Sequence, residues 1–174
     1  RRLSSAASDV YKRQFFDNAS SPEAAASAKR IESLGYDTLW LPETVGKNPF
    51  VLEAWLLANT TRLKVATGIA NIYHREPTVS RALQYTLGEQ SADRFMMAIG
   101  VSHKPLVEGV RKLEYGPPVA TMRNYLEQMD TAPYTAVRNE NDPLTLIAAL
   151  GPKMLELAKT HTQGAHPYFT GPSH

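Results

Sequence analysis

The feature that most constrains this chain is an alternation of short, continuous apolar runs with longer stretches of helical spacing, each join marked by Gly or Pro. Thr38-Leu39-Trp40-Leu41 stops at Pro42, Lys64 to Ala70 stops before a polar turn, and Arg94 to Val101, Leu144 to Leu150 and Ala165 to Phe169 repeat the form. Between them lie helices. One starts at Ser20 or Ser21 with Pro22 in its first turn and carries Ala24, Ala28, Ile31 and Leu34 up to Gly35. A second opens at Asn48-Pro49 and carries Val51, Leu52, Trp55 and Leu56. Others begin at Pro77, Pro118 and Pro152, the Pro118 helix with Val119, Met122, Leu126 and Met129 as core positions. With a damaged strand near Phe15 this makes six strands. Runs apolar throughout, rather than alternating, mark strands covered on both faces, so the expected architecture is α/β with a parallel sheet. Periodicity alone leaves open whether that sheet is flat or closes into a barrel.

Composition narrows the function. Nineteen Lys and Arg against seventeen Asp and Glu leave a dispersed +2, which argues against nucleic acid as a partner. There is no Cys, which removes disulfides, thiolate metal sites and a cysteine nucleophile. No apolar run is long enough to span a bilayer, and the expected location is cytoplasmic. Arg1 to Gln14 is rich in Ser and Arg, lacks the apolar segment of a secretory signal and, over Ser8 to Gln14, resembles read-through sequence. It is set aside as a non-native or disordered tail, with the domain running over 15–174.

No strand is followed by Gly-x-Gly-x-x-Gly, which demotes a dinucleotide site. The five His show no zinc-hydrolase spacing, and no metal site is expected; a Gly-x-Ser-x-Gly elbow is absent, and no strand carries an interior Lys near its end for Schiff-base chemistry. The groups that could carry chemistry fall at strand C-terminal ends: Glu43 and Thr44; Asn71 and His74; Ser102 and His103; Leu150 and Gly151. His103 follows Gly100-Val101-Ser102, where a small-residue backbone lets a planar ligand approach an imidazole able to move a proton. Gly151-Pro152 opens a helix whose free amides suit a phosphate. Met96, Met97 and Trp40 read as core.

Across about residues 15 to 172 the chain resembles the luciferase-like monooxygenase superfamily, and in particular its oxidoreductases that use the deazaflavin coenzyme F420. The resemblance is carried by Ala28 to Glu43, Thr67-Gly68-Ile69-Ala70-Asn71, Arg94 to Val101 and Leu150 to Ala158. It implies a TIM-type (β/α) barrel with about six of eight units inside this chain, and hence exposed strand edges and self-association of the piece. It further implies a non-prolyl cis peptide at Gly68-Ile69 supporting the cofactor ring, Asn71 beside that ring, and Leu150 and Gly151 at its phosphate. Glu43-Thr44 matches an acid-histidine pair of some relatives with Thr in place of His, and His103-Lys104 replaces a Gly-Glu pair. The implied reaction is hydride transfer between the deazaflavin and a small-molecule substrate in a parent that is a homo-oligomer. His103 is the first proton-transfer candidate and Glu43 the second, with Thr44, His74 and Ser102 as substrate or cofactor contacts. FMN-dependent monooxygenation is the nearest alternative, and an inactive, self-associating fragment the alternative of another class.

Overall fold

The computed structural model describes residues 11–13 and 16–168. Its strands are β1 (Tyr11–Arg13), β2 (Thr38–Leu41), β3 (Lys64–Thr67), β4 (Ala70–Asn71), β5 (Phe95–Gly100), β6 (Thr145–Ala148) and β7 (Gly164–His166). The helices are α1 (Ser21–Ser33), α2 (Pro49–Ala58), α3 (Pro77–Ser91), α4 (Pro118–Asp130) and α5 (Pro152–His161). Every strand pair is parallel, and the order β1-β2-β3-β5-β6-β7, with β4 on β5, never reverses. A doubly wound sheet would reverse at a switch point.

Curvature settles flat sheet against barrel. His166 of β7 stacks on Trp40 of β2 with ring centroids 4.4 Å apart and planes 24° from parallel. Four strand spacings separate β2 from β7, about 19 Å in a flat sheet, beyond the reach of two side chains. The sheet therefore curls until opposite strands face each other across a hollow. Outside it the helices pack each on the next in chain order, α1 on α2 through to α4 on α5. Leu39, Leu41, Val65, Phe95, Met97, Ile99 and Ile147 point outward into one core shared with the helices. Trp40, Met96, Leu146, Ala148 and His166 on the concave face are half-buried. The fold is an α/β arc of a TIM-type barrel with six strand positions among the described residues.

Local chemistry sets the elements. Ser20 caps α1 in a reciprocal box with Glu23, accepting from the Glu23 amide at 3.4 Å while Glu23 accepts the Ser20 amide at 2.7 Å. Asn48 caps α2 by accepting the amides of Phe50 and Val51. Four expectations need correction, the last of them in the run Lys64 to Ala70. The first strand is Tyr11–Arg13, inside the segment set aside as a tail; pairing to β2 needs only extended backbone, so an apolar run is not required. Phe15, residues 1–10 and Phe169 of the last expected strand lie outside the described residues. On α2 the buried face is Phe50, Leu52, Glu53, Leu56 and Leu57, whereas Val51 is 71% and Trp55 44% exposed. Leu34, read as a core position, is the exposed C-cap of α1.

The run Lys64 to Ala70 is not one unbroken strand. Val65 and Ala66 pair with Phe95 and Met96, but Ala70 and Asn71 pair with Ile99 and Gly100, so Thr67, Gly68 and Ile69 stand opposite only Met97 and Ala98. One extra residue makes this a β-bulge. The Gly68-Ile69 peptide within it is cis.

Candidate functional site

Register brings the strand C-terminal ends to one level. Asn71 pairs with Gly100, Ala148 follows the Ile99-Ile147 pair, and Ala148 pairs with His166. This uppermost interior layer is built of small residues. A Cβ on Gly100 would lie 2.8 Å from Ile69 Cδ1 and 3.1 Å from Ala148 Cβ, and one on Gly68 would lie 3.2 Å from Trp40 Cβ and 3.8 Å from His166 Nε2. The two glycines hold bulge, β5 and the aromatic pair at separations a side chain would not permit.

Glu43 clamps the bulge from the end of β2. Its amide donates to the Ile69 carbonyl at 3.2 Å. Its carboxylate accepts the Asn71 amide at 2.6 Å and Arg75 Nη1 at 3.1 Å on Oε2, and Arg75 Nη2 together with His74 Nδ1 at 3.1 Å on Oε1. The side chains are 7% exposed at Glu43 and 9% at Arg75. Burial raises the Glu43 carboxyl, but the Arg75 hydrogen bonds, the Asn71 amide, the Arg75 charge and His74 outweigh it and hold the group below its ordinary value. Asn71 Oδ1 is taken by the Tyr73 amide at 3.0 Å, so its Nδ2 faces His74 Nε2 at 3.3 Å. His74 consequently donates through Nδ1 to Glu43 and accepts through Nε2. Arg75 also lies over the Phe50 ring, 4.6 Å from its centroid.

The loop after β5 covers the same rim. Its π-helical turn, Pro105–Val110, begins under the His103 carbonyl, which accepts the amides of Leu106 and Val107. Arg111 Nη2 donates to the Thr44 carbonyl at 2.8 Å, Tyr115 stacks on Tyr73 at 5.6 Å and donates to the Ser102 carbonyl, and Gly116 N–H reaches Tyr73 Oη at 3.0 Å. Thr44 Oγ1 donates to Asp17 at 2.7 Å and accepts the Gly46 amide. Ser102 takes a left-handed φ of 56°, and His103 is exposed. Gly151 caps α5 with open space where its Cβ would be, beside an exposed Leu150.

Residues 6–174 match the luciferase-like monooxygenase family. The chain belongs to that family. A Mycobacterium tuberculosis protein named as a coenzyme F420-dependent oxidoreductase is 29% identical over 96 residues, 55% of this chain and 28% of the relative. Among solved structures, an F420-dependent secondary alcohol dehydrogenase with a bound F420-acetone adduct superposes with a TM-score of 0.78 at 16% identity, over 95% of this chain and 59% of that one. The FMN-bound oxygenating component of a Pseudomonas putida diketocamphane monooxygenase gives a TM-score of 0.75 at 14% identity, over 94% and 58%. The chain thus spans under two thirds of the length of each of these three proteins.

Within this luciferase-like frame the structure joins Glu43, Asn71 and His74 in one network, sets Ile69 against Gly100 and Gly68 against Trp40, and leaves Thr44, Ser102, His103, Leu150 and Gly151 on surrounding loops. Sequence reasoning missed three residues. Arg75 is the cation that fixes Glu43, signalled only by following a candidate histidine. Thr67, fully buried, bonds the Ala98 backbone at the bulge. His166 reaches the interior layer from a strand valued only for its fold. The small-residue layer and the open space at Gly151 before α5 leave room for a planar ring joined to a phosphate.

Proposed function

We propose that this chain is the cofactor-holding part of an oxidoreductase that transfers a hydride between coenzyme F420 and a small organic substrate. The observation that carries this reading is the layer of Gly68, Gly100, Ala148 and Asn71 at the strand ends, which lets backbone meet a flat ring. The relative of Mycobacterium tuberculosis supports the deazaflavin over FMN. The coenzyme supplies the carbon that gives or takes hydride; the chain supplies position and protons.

Gly68, Ile69 and Asn71 form the wall for the ring. Leu150 and Gly151 bring the backbone to the positive end of the α5 dipole, which suits the phosphate, with no acidic residue in the first turn to oppose the charge. Glu43 acts as a positioning residue: its carboxylate is spent on Arg75, His74 and Asn71, and a carboxylate held below its ordinary value is a poor proton acceptor near neutral pH. Thr44 and His74 shape the rim through Asp17 and Glu43. His103, exposed beside Ser102, is the group that exchanges a proton with substrate.

Fluorescence-quench titration of F420 and, in parallel, FMN tests the reading. Saturable F420 binding lost in Gly151→Asp supports it. Binding of FMN alone transfers the assignment to flavin-dependent monooxygenation, and binding of neither overturns a cofactor site in this chain.

A further inference from the structure

Arg111 folds inward from a stretch of loop that otherwise faces solvent: Val110, Lys112, Leu113 and Glu114 are exposed, whereas Arg111 is half-buried. Its amide closes the π-helical turn on the Leu106 carbonyl at 3.1 Å, and its side chain crosses to the end of β2, where Nη2 meets the Thr44 carbonyl. In the sheet order the bulge and β4 lie between β2 and β5. The guanidinium therefore ties together the two loops that flank the wall proposed for the cofactor ring, and it shares its loop with His103.

A strap between loops would be the simplest account, but a strap does not need an unpaired charge. Among the described residues no carboxylate lies within ion-pair distance of Arg111. The rim acids are spent elsewhere, Glu43 on Arg75 and Asp17 on the Thr44 hydroxyl and the Lys47 amide. Arg111 Nε is buried without a hydrogen-bond partner, while Nη1, equally unbonded, is not buried and stays open to an incoming group. Arg94 shows how this chain treats a structural arginine. It also lacks a carboxylate, yet its Nε, Nη1 and Nη2 are taken up by the Ser91, Leu63 and Leu57 carbonyls and by Thr60. A cation drawn out of water with its donors unspent is costly until an anion completes it.

We infer that Arg111 binds the anionic end of the substrate, a carboxylate or a phosphate, so that the molecule reduced or oxidised at this rim is an anion. A guanidinium grips either group through paired hydrogen bonds. The inference rests on the oxidoreductase reading of the rim. It concerns the substrate, separately from the cofactor phosphate at Gly151.

Chain labelled with ¹⁵N at arginine is titrated with benzoate, with inorganic phosphate and with benzamide, the uncharged counterpart of benzoate, while chloride holds the ionic strength constant. The Arg111 Nε–H resonance, assigned by its loss in Arg111→Gln, should move saturably with at least one of the two anions and stay in place with benzamide. Arg111→Gln should bind that anion about tenfold more weakly or worse, as expected for a lost charge-assisted hydrogen bond. Arg111→Lys, which keeps a cation in the loop, should also bind more weakly, and Arg123→Gln, on the exposed face of α4, should bind like the wild type. F420 and the phosphate-free deazaflavin ring should bind the wild type and Arg111→Gln equally. An Arg111 resonance that moves no more than those of exposed arginines, an equal response to benzamide, or wild-type anion affinity in both Arg111 variants would overturn the inference and leave the cofactor site standing. Weaker binding of F420 but not of the phosphate-free ring to Arg111→Gln would give the anion to the cofactor and overturn the substrate assignment. Saturable anion binding by a chain that binds neither F420 nor FMN would overturn the oxidoreductase reading, and the substrate assignment with it.

Discussion

Thr67 mends the sheet with its side chain: Oγ1 donates to the Ala98 carbonyl at 2.6 Å and accepts the Ala98 amide at 2.7 Å. The extra residue of the bulge pulls the β3 backbone out of step with β5, and the hydroxyl takes the place of a ladder partner. Thr67→Val keeps the shape and strands two buried backbone groups. Since each such group costs about 1–3 kcal/mol, Thr67→Val should lower unfolding free energy by about 2–4 kcal/mol in urea melts, and Thr67→Ser by clearly less. Equal losses in the two variants would assign the effect to packing.

Glu43 and Arg75 stabilise the rim in a pH-dependent way. The folded-state pKa of Glu43 lies below its unfolded value, so its contribution is complete above the unfolded pKa and disappears as pH falls through the folded one. Glu43→Gln leaves Arg75 buried without its anion, which costs about 3–5 kcal/mol at neutral pH. The gap between wild type and Glu43→Gln, followed by denaturant unfolding, should close in acid below the ordinary carboxylate range. A gap constant with pH would mean that shape rather than charge is at stake.

The strand-helix order, the helix caps and the rim positions were legible because each depends on near neighbours in sequence. Helix α2 was not. Pro-Phe-Val-Leu-Glu-Ala-Trp-Leu-Leu-Ala is apolar almost all round, so spacing cannot choose a buried face, and its one charge invites an outward placement that the fold reverses. Trp55 instead reaches α1, donating to the Ser21 carbonyl at 2.9 Å. The bulge was hidden because a change of register exists only relative to the partner strand. The ion pair of Glu43 with Arg75 and the stacking of His166 on Trp40 were hidden for a related reason: each partner is brought near only by the curl of the sheet or by a distant strand end.

Glu53, on the inward face of α2, is fully buried, and neither carboxylate oxygen has a hydrogen-bond partner among the described residues. Burial, reinforced by the Glu43 charge and partly offset by Arg75, pushes its carboxyl well above the ordinary value. A raised folded-state pKa gives the opposite sign from Glu43. The folded state tolerates neutral Glu53 below the unfolded pKa and loses stability as pH rises toward the folded one. Glu53→Met, similar in volume and without polar atoms, should stabilise the chain by about 1–3 kcal/mol at neutral pH. The gain should shrink in acid, and Tm measured across pH for the two proteins checks it; a destabilised Glu53→Met would reveal a polar partner for this carboxyl.

Gly100 carries the tightest of the close approaches in the interior layer. Its added Cβ would meet Ile69 Cδ1 at 2.8 Å and Ala148 Cβ at 3.1 Å. The first neighbour is the tip of a side chain on the bulge, and the second is fixed to β6, so Gly100→Ala must displace the bulge toward the hollow. Overpacking of this kind costs about 1–3 kcal/mol. Ile69→Val removes the Cδ1 methyl and should restore part of that loss in Gly100→Ala, a favourable coupling readable in a double-mutant cycle of urea unfolding. The same pair should recover cofactor binding in parallel with stability, because both depend on where the bulge backbone lies. Strict additivity of the two substitutions would show that the Ala148 contact, and not the bulge, sets the requirement for glycine at position 100.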